Sequence, residues 1–516
     1  MDDSTNPTNS GGVSRRGFLA ATAVGGVALG AAIGFESRAQ TDTGGSSLSS
    51  GGSDGDASSG RDGVRRNLYA LMGNDAGRAN IESYRRGVAA MKARSFSDPT
   101  SWTFQAAIHR RATRRVVPEL PADIDAAIDA LPPDLQAVLG AGNTCQHGNH
   151  FFPAWHRMYV YYLEKLVRAA SGDANFMLPY WNYSDSTAER IMPEPFRSPA
   201  DRDTNALFEP LRSNSINSGG ALASTSVDTR VAMGQSRALP QSPEPGFYRA
   251  LEIVPHNLVH GNINGLMGFE NTAALDPIFW MHHCNIDRLW AKWIRDGHTD
   301  ATGDAINGKR YSFIDDDGSI VSMTVREVLD TAAQLDYTYD DDNGAEIGFV
   351  VAGGDESGIE AAPVAEDLAI VNDALTLGTA PVVLEAQPLV EVGGATLFAT
   401  DVTDPNEKPV YLVLEGVRHQ GSIPVFYNIY VNRPEEAPQT PRNGYFAGVY
   451  YPFATPDEAG DTISFDITGL LNRQIADGRY TGGALKVEIL PELADTGGIE
   501  AGPMDELTVD RLVIVR

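Results

Sequence analysis

The sequence predicts a mainly α-helical domain followed by a β-sandwich, and three observations carry that expectation. From about Val64 to Tyr339 apolar residues recur every three or four positions, as on amphipathic helices. Beyond about residue 380 the period changes to two, in short runs punctuated by Gly, Pro and Asn. Between them, residues 341–380 are acidic and glycine-rich, the composition of a linker.

Taken in order, the chain opens on "SRRGFL" (Ser14 to Leu19), paired arginines before a Gly/Ala-rich apolar run that ends at Phe35. Small residues follow at Ser37 and Ala39, so residues 1–39 resemble a twin-arginine export signal. That signal implies the twin-arginine machinery as partner and a periplasmic or extracellular location, with membrane anchoring if it is not cleaved. Residues 40–63 are Gly, Ser and Asp with almost nothing to bury, and read as a disordered linker. Within 64–340, "WTFQAAIHRRA" and "WHRMYVYYLEKLVRAA" carry the helical period, the second bounded by Gly172, while Arg212 to Gln241 reads as a polar surface loop. Over 381–516, "VFYNIYV", "TISFDIT", "ALKVEIL" and "LTVDRLVIV" alternate apolar and polar residues with no helical stretch between them, hence the sandwich.

Charge narrows the function. Forty Lys+Arg stand against 68 Asp+Glu, a net of −28, which argues against nucleic acid or an anionic membrane surface as partner. Two cysteines, Cys145 and Cys284, build no disulfide framework.

The histidines carry the chemistry. Of ten, eight fall between His109 and His283. "HNLVH" sets His256 and His260 four apart, on one face of a helix. "CQHGNHFFPAWH" offers His147, His150 and His156, and "DPIFWMHHCNIDRLW" offers adjacent His282 and His283. Buried imidazoles need a partner for each nitrogen, and so many among aromatic residues point to metal. A zinc protease needs Glu after the first His of His-x-x-x-His, and here that residue is Asn257. Di-iron bundles use Glu-x-x-His pairs, which the clustered histidines lack. An all-imidazole set suits copper, with zinc or nickel open. Two sets of three, facing each other, form a chemical argument for a dicopper centre.

"HGNHFFPAWHRMYVYYLE", "HNLVH" and "DPIFWMHHCNIDRLW" resemble, in this order, the two copper signatures of the type-3 copper family: tyrosinases, catechol oxidases of the plant polyphenol-oxidase type, and haemocyanins. "FIDDDGSIVSMTVREVLDTAAQLDYTY" extends the resemblance more weakly. It implies a copper domain built on a four-helix bundle and two copper ions. The first would be held by His109, His147 and His156, the second by His256, His260 and His283. The family's last ligand lies seven residues after the Asp of Asp-Pro, here Asp276. His282 then lines the pocket, and His150 matches no ligand.

Four further readings follow from the resemblance. Cys145, two before His147, matches a cysteine that in some members forms a thioether with the histidine. Glu252 and Asn257 match a pair thought to hold a water that takes a phenol's proton, favouring monophenol hydroxylation. Plant-type members often place a Phe over the second copper; here that place aligns with Glu270 and Phe269 is one off, so both are read as lining the pocket or backing the ligands and the guard is left open. "NGYFAGVYYPF" in the C-terminal domain is aromatic enough to plug the site. The implied activity is oxidation of small phenols by O2, with ortho-hydroxylation of monophenols and conversion of o-diphenols to o-quinones. The alternatives are a catechol oxidase without the first step and a haemocyanin-like oxygen carrier. A copper chaperone is compatible with this reading, and the sequence does not set the oligomeric state.

Overall fold

The computed structural model describes residues 62–140, 145–342, 365–371, 373–389, 397–400, 408–441, 443–456, 459–499 and 506–516. All lie within one compact unit, Ser58–Arg516. The export signal and most of the first linker fall outside the described residues. Among the described residues no helix is long and apolar enough to cross a membrane.

The helical part is tied at its two ends. Strand β1 (Val64–Arg65) pairs in parallel with β2 (Thr338–Tyr339). Helix α1 (Asp75–Lys92) starts where Asn74 accepts the Gly77 N–H at 2.8 Å, and buries Ile81, Tyr84, Val88 and Met91 along one stripe. Helix α2 (Trp102–His109) is capped by Ser101 and is buried throughout. Helix α3 (Phe152–Ser171) begins with Pro153 in its first turn and stops at Gly172, whose φ of 70° suits glycine. Helix α4 (Leu258–Ile263) and helix α5 (Ile278–Arg295) complete the frame of the site.

The expected four-helix bundle is not what these helices establish. Three of them, α1, α3 and α5, reach 18 to 20 residues. The segment that would make a fourth, Gly246 to Ile263, is interrupted at Val254 (φ −139°, ψ 118°), directly before Pro255. Proline lacks the N–H a helix needs and pushes the residue before it into extended conformation. A signal visible in "EIVPHN" thus divides the helix just ahead of the second histidine cluster.

Beneath the site lies a buried charge network. Arg65 donates to Glu164 at 2.9 Å and to Asp287 at 3.3 Å. Arg157 and the hydroxyls of Tyr337 and Tyr339 also bond Asp287. The two guanidiniums stack 3.6 Å over Tyr337 and Trp290. Burial alone would raise the Asp287 pKa, but Arg157, Arg65 and the two hydroxyls outweigh it and hold the carboxyl below its usual range. Its stabilisation is therefore complete above an ordinary carboxylate pKa of about 3.9 and is lost as pH falls through the lower folded value. Asp287→Ala leaves the buried Arg157 without a carboxylate and Arg65 with Glu164 alone, and is expected to cost about 3–5 kcal/mol. Chemical denaturation at pH 7 measures that loss, and a change under about 1 kcal/mol would refute the role.

The C-terminal part is an antiparallel sheet. Its strands are β3 (Asp367–Val371), β4 (Val382–Pro388), β5 (Tyr411–Val417), β6 (Val425–Val431), β7 (Phe446–Tyr450), β8 (Asp461–Asp466), β9 (Leu485–Leu493) and β10 (Arg511–Val515). They pair in the order β7-β6-β9-β4-β3-β10-β5-β8. Inward residues of both halves, such as Leu412, Ile429, Ile463, Val487 and Leu512, share one core. Instead of two separate sheets, one sheet folds over itself, joined where β4 pairs with both β9 and β3. Two further expectations need correction. Strands at Asp367–Val371 and Leu375–Leu377 fall inside the stretch read as the 341–380 linker, so the sheet begins before residue 381. Helix α6 (Thr468–Ala476) also interrupts the strands, seating Leu470 and Leu471 in the same core.

The two parts exchange apolar side chains. Tyr451 and Phe453 pack into the helical core, and Ile253 packs into the β core. A Cβ at Gly261 would lie 2.7 Å from the Tyr451 ring, so glycine there makes room for it.

Candidate metal centre

Six of the clustered histidines, together with His282, converge in the buried interior. His109 ends α2, His147 lies in the loop before α3, and His156 sits in the first turns of α3. His256 follows the break at Pro255, His260 lies on α4, and His282 and His283 lie on α5. Ring centroids of His109 and His147 are 5.3 Å apart, of His147 and His156 5.0 Å, and of His256 and His260 4.6 Å. His283 bridges the groups, stacked 4.5 Å from His156 and edge-on 4.9 Å from His256. Phe152, Trp155 and Phe279 wall the site in.

Four of the rings have their polarity set from behind. Nδ1 of His109 donates to the carbonyl of Glu270 (3.0 Å), that of His156 to Phe152 (2.8 Å) and that of His260 to Met267 (2.8 Å). His256 Nδ1 donates to the Asn257 side-chain oxygen at 2.8 Å. With the proton on Nδ1, the lone pair sits on Nε2. Among the described residues, Nε2 of His109, His147, His156, His256 and His282 is buried with no hydrogen-bond partner. Burial holds the imidazoles of His109, His147, His256, His260 and His283 well below the usual pKa, and takes those of His156 and His282 to about 3. They are neutral at pH 7. Orphaned, neutral, inward-facing nitrogens are the donor set of a metal centre, and with no carboxylate among them they fit two copper ions.

Neighbouring His282 and His283 differ in how they meet this set. His282 Nδ1 pairs with the Tyr183 hydroxyl at 2.9 Å, and its ring stacks against His256. His283 Nε2 lies 3.3 Å from His260 Nε2. Two imidazole nitrogens bound at about 2.0 Å to one ion at a tetrahedral angle lie about 3.3 Å apart. Both histidines lie close enough to His256 and His260 to share an ion, and the His283 spacing is the one that fits a shared ligand.

Comparison with known proteins gives a family for the stretch that carries these histidines. The common central domain of tyrosinase matches residues 99–240 and 221–296. Residues 99–296 are a tyrosinase domain. The polyphenol oxidase middle domain matches residues 308–345, and a domain of unknown function matches 370–516. A tyrosinase of Hahella sp. (strain CCB-MM4) is 36% identical over 309 residues, covering 54% of this chain. A chloroplastic polyphenol oxidase of Malus domestica is 26% identical over 419 residues, covering 72% of this chain. The chain spans 63% and 65% of those relatives' own lengths. The fold matches the solved structure of latent apple tyrosinase, with a TM-score of 0.56 and 21% identity over 87% of this chain and 96% of that one. A recombinant latent aurone synthase matches with a TM-score of 0.56 and 19% identity, over 89% and 90%. The chain is thus similar to tyrosinases and polyphenol oxidases, with the tyrosinase likeness carried by residues 99–296.

Within the tyrosinase domain, the remaining expected positions divide. Glu270, aligned with the guard of the second copper, instead stands behind the first set, its carboxylate 3.2 Å from His147 Nδ1. The short helical turns at Gly265–Gly268 and Ala273–Leu275 fold this segment back over the end of α2, which the alignment of one residue did not reveal. Phe269 is half-buried against the helical core. Cys145 Sγ lies 3.5 Å from His147 Nδ1. Glu252 is buried, accepting the Gly148 N–H at 2.7 Å and Arg249 at 2.8 Å; burial raises its pKa against the pull of Arg249. His150 packs half-buried on Phe151, outside the set. Cys284 is a buried thiol beside Tyr339.

The sequence did not single out Phe453. It ends the aromatic run "NGYFAGVYYPF" and reaches over from the C-terminal sheet. Its ring stacks on His260 (4.0 Å, 19°) and stands edge-on to His256 and His147 at 5.6 and 5.7 Å. The Tyr451 hydroxyl donates to the Gly268 carbonyl at 3.0 Å and fixes the same loop.

Proposed function

We propose that the chain is a latent copper-dependent phenol oxidase, acting on monophenols and o-diphenols with O2. The observation that carries this is a buried set of neutral imidazoles with Phe453 laid over its second half. Copper, when bound, supplies O2 binding and the two-electron redox capacity. His109, His147 and His156 would hold one ion, and His256, His260 and His283 the other.

The chain's own side chains do the rest. Hydrogen bonds at Nδ1 orient His109, His147, His156, His256 and His260 before any ion arrives. Phe152, Trp155 and Phe279 exclude water, which protects reactive intermediates from side reactions. The face of His260, where Phe453 now lies, is the natural seat for a flat phenol ring. Glu252 retains lone pairs beyond its two donors, so it can accept a hydrogen bond from a water and take that water's proton as the water takes the phenol's. That step supports monophenol hydroxylation. A catechol oxidase would share every feature except the use of Glu252.

The test uses full-length, copper-loaded protein given tyrosine and a catechol, before and after limited proteolysis of the C-terminal domain. Quinone from both substrates, rising after proteolysis, is the expected result. Quinone from the catechol alone would leave a catechol oxidase, and O2 binding without quinone under either condition would leave a carrier.

A further inference from the structure

Each histidine of the first set needs an acceptor behind Nδ1. His156 finds one on its own helix, in the carbonyl of Phe152 one turn back. His109 at the end of α2 and His147 in a loop rely on a different segment, and both rely on the same residue. The backbone carbonyl of Glu270 takes the His109 proton, and its Oε1 lies 3.2 Å from His147 Nδ1. The same Oε1 accepts the Cys145 thiol at 3.3 Å. Arg110, next in sequence to His109, binds Oε2 and turns Oε1 toward the histidine. The Glu270 N–H donates to Ser422 Oγ at 2.9 Å, so the residue is held from the C-terminal side too. Its side chain is 5% exposed.

We infer that Glu270 is the positioning residue of the first copper: it fixes the tautomer and ring angle of both His109 and His147. A carboxylate behind an imidazole makes the ring a stronger donor than a carbonyl does, and removing such a partner typically weakens metal binding about 10–100-fold. The effect falls on one ion, because the second set takes its acceptors from Asn257 and Met267. In this chain the position aligned with the guard of the second copper serves the first. The inference rests on the copper reading proposed above.

The test measures copper per chain and the rate of copper loss to a chelator in full-length protein, for wild type, E270A and E270Q. Unfolding midpoints are recorded alongside. E270A is expected to release one ion about 10–100-fold faster than wild type and to keep the other at the wild-type rate. E270Q keeps an oxygen that can accept the His147 proton, so it should restore most of the retention. Wild-type retention of both ions in E270A overturns the inference, as does equal loss of both ions without rescue by E270Q. If E270A does not fold, E270M, which fills the same space without an acceptor oxygen, decides in its place: faster loss of one ion supports the role, and wild-type retention of both refutes it. Wild type that holds no pair of coppers would sink the copper reading itself, a separate outcome.

Discussion

Phe453→Ala in the full-length chain is expected to raise phenol turnover and lower stability at the same time. The ring is 1% exposed and stacked 4.0 Å from the His260 centroid, so a phenol reaching that face must first displace it. Removing a buried phenylalanine costs about 3–5 kcal/mol of folding stability. The same deletion uncovers the seat, and kcat/KM for a catechol should rise about 10–100-fold, or ~1.4–2.7 kcal/mol in transition-state terms. An ordinary core phenylalanine would lower both quantities. Leu412→Ala, a comparable cavity inside the β core, provides the control, since it should destabilise by about 2–5 kcal/mol without raising turnover. Turnover unchanged in Phe453→Ala, or raised equally in Leu412→Ala, would show that the ring is packing and not a plug.

The plug also marks where reading the sequence reaches its limit. The helices around the histidines were legible because period, cap and stop agree locally, as at Ser101 and Gly172. The strands were legible from alternation. The ligand spacing was legible because a helix turns His256 and His260 to one side. Phe453 is joined to His260 only through the docking of two distant segments, and no local pattern encodes that partner. The contacts of Glu270 were hidden for the same reason: they run to His109, His147 and Ser422, each set by a separate stretch of chain. Strand β3 was hidden differently, as five residues ("DLAIV") whose alternation is averaged away by acidic neighbours. The break at Pro255 was in plain view, and the local rule for proline would have found it.

The adjacent histidines supply the second large effect. On α5 they point about 100° apart, and only one of them meets His260 at the spacing of a shared ligand. His283→Ala is expected to reduce bound copper to about one ion per chain and turnover by at least about a thousandfold, roughly 4 kcal/mol of lost transition-state stabilisation. His282→Ala removes a ring whose Nδ1 is held by the Tyr183 hydroxyl, and should keep both ions while slowing turnover about 10–100-fold through looser packing of His256. Copper content separates the two residues more cleanly than rate does, because a ligand and its neighbour can both depress turnover. If His282→Ala loses the ion and His283→Ala keeps it, the roles are exchanged. The 3.3 Å approach of His260 and His283 would then be a contact between rings, with Tyr183 orienting the true ligand from behind.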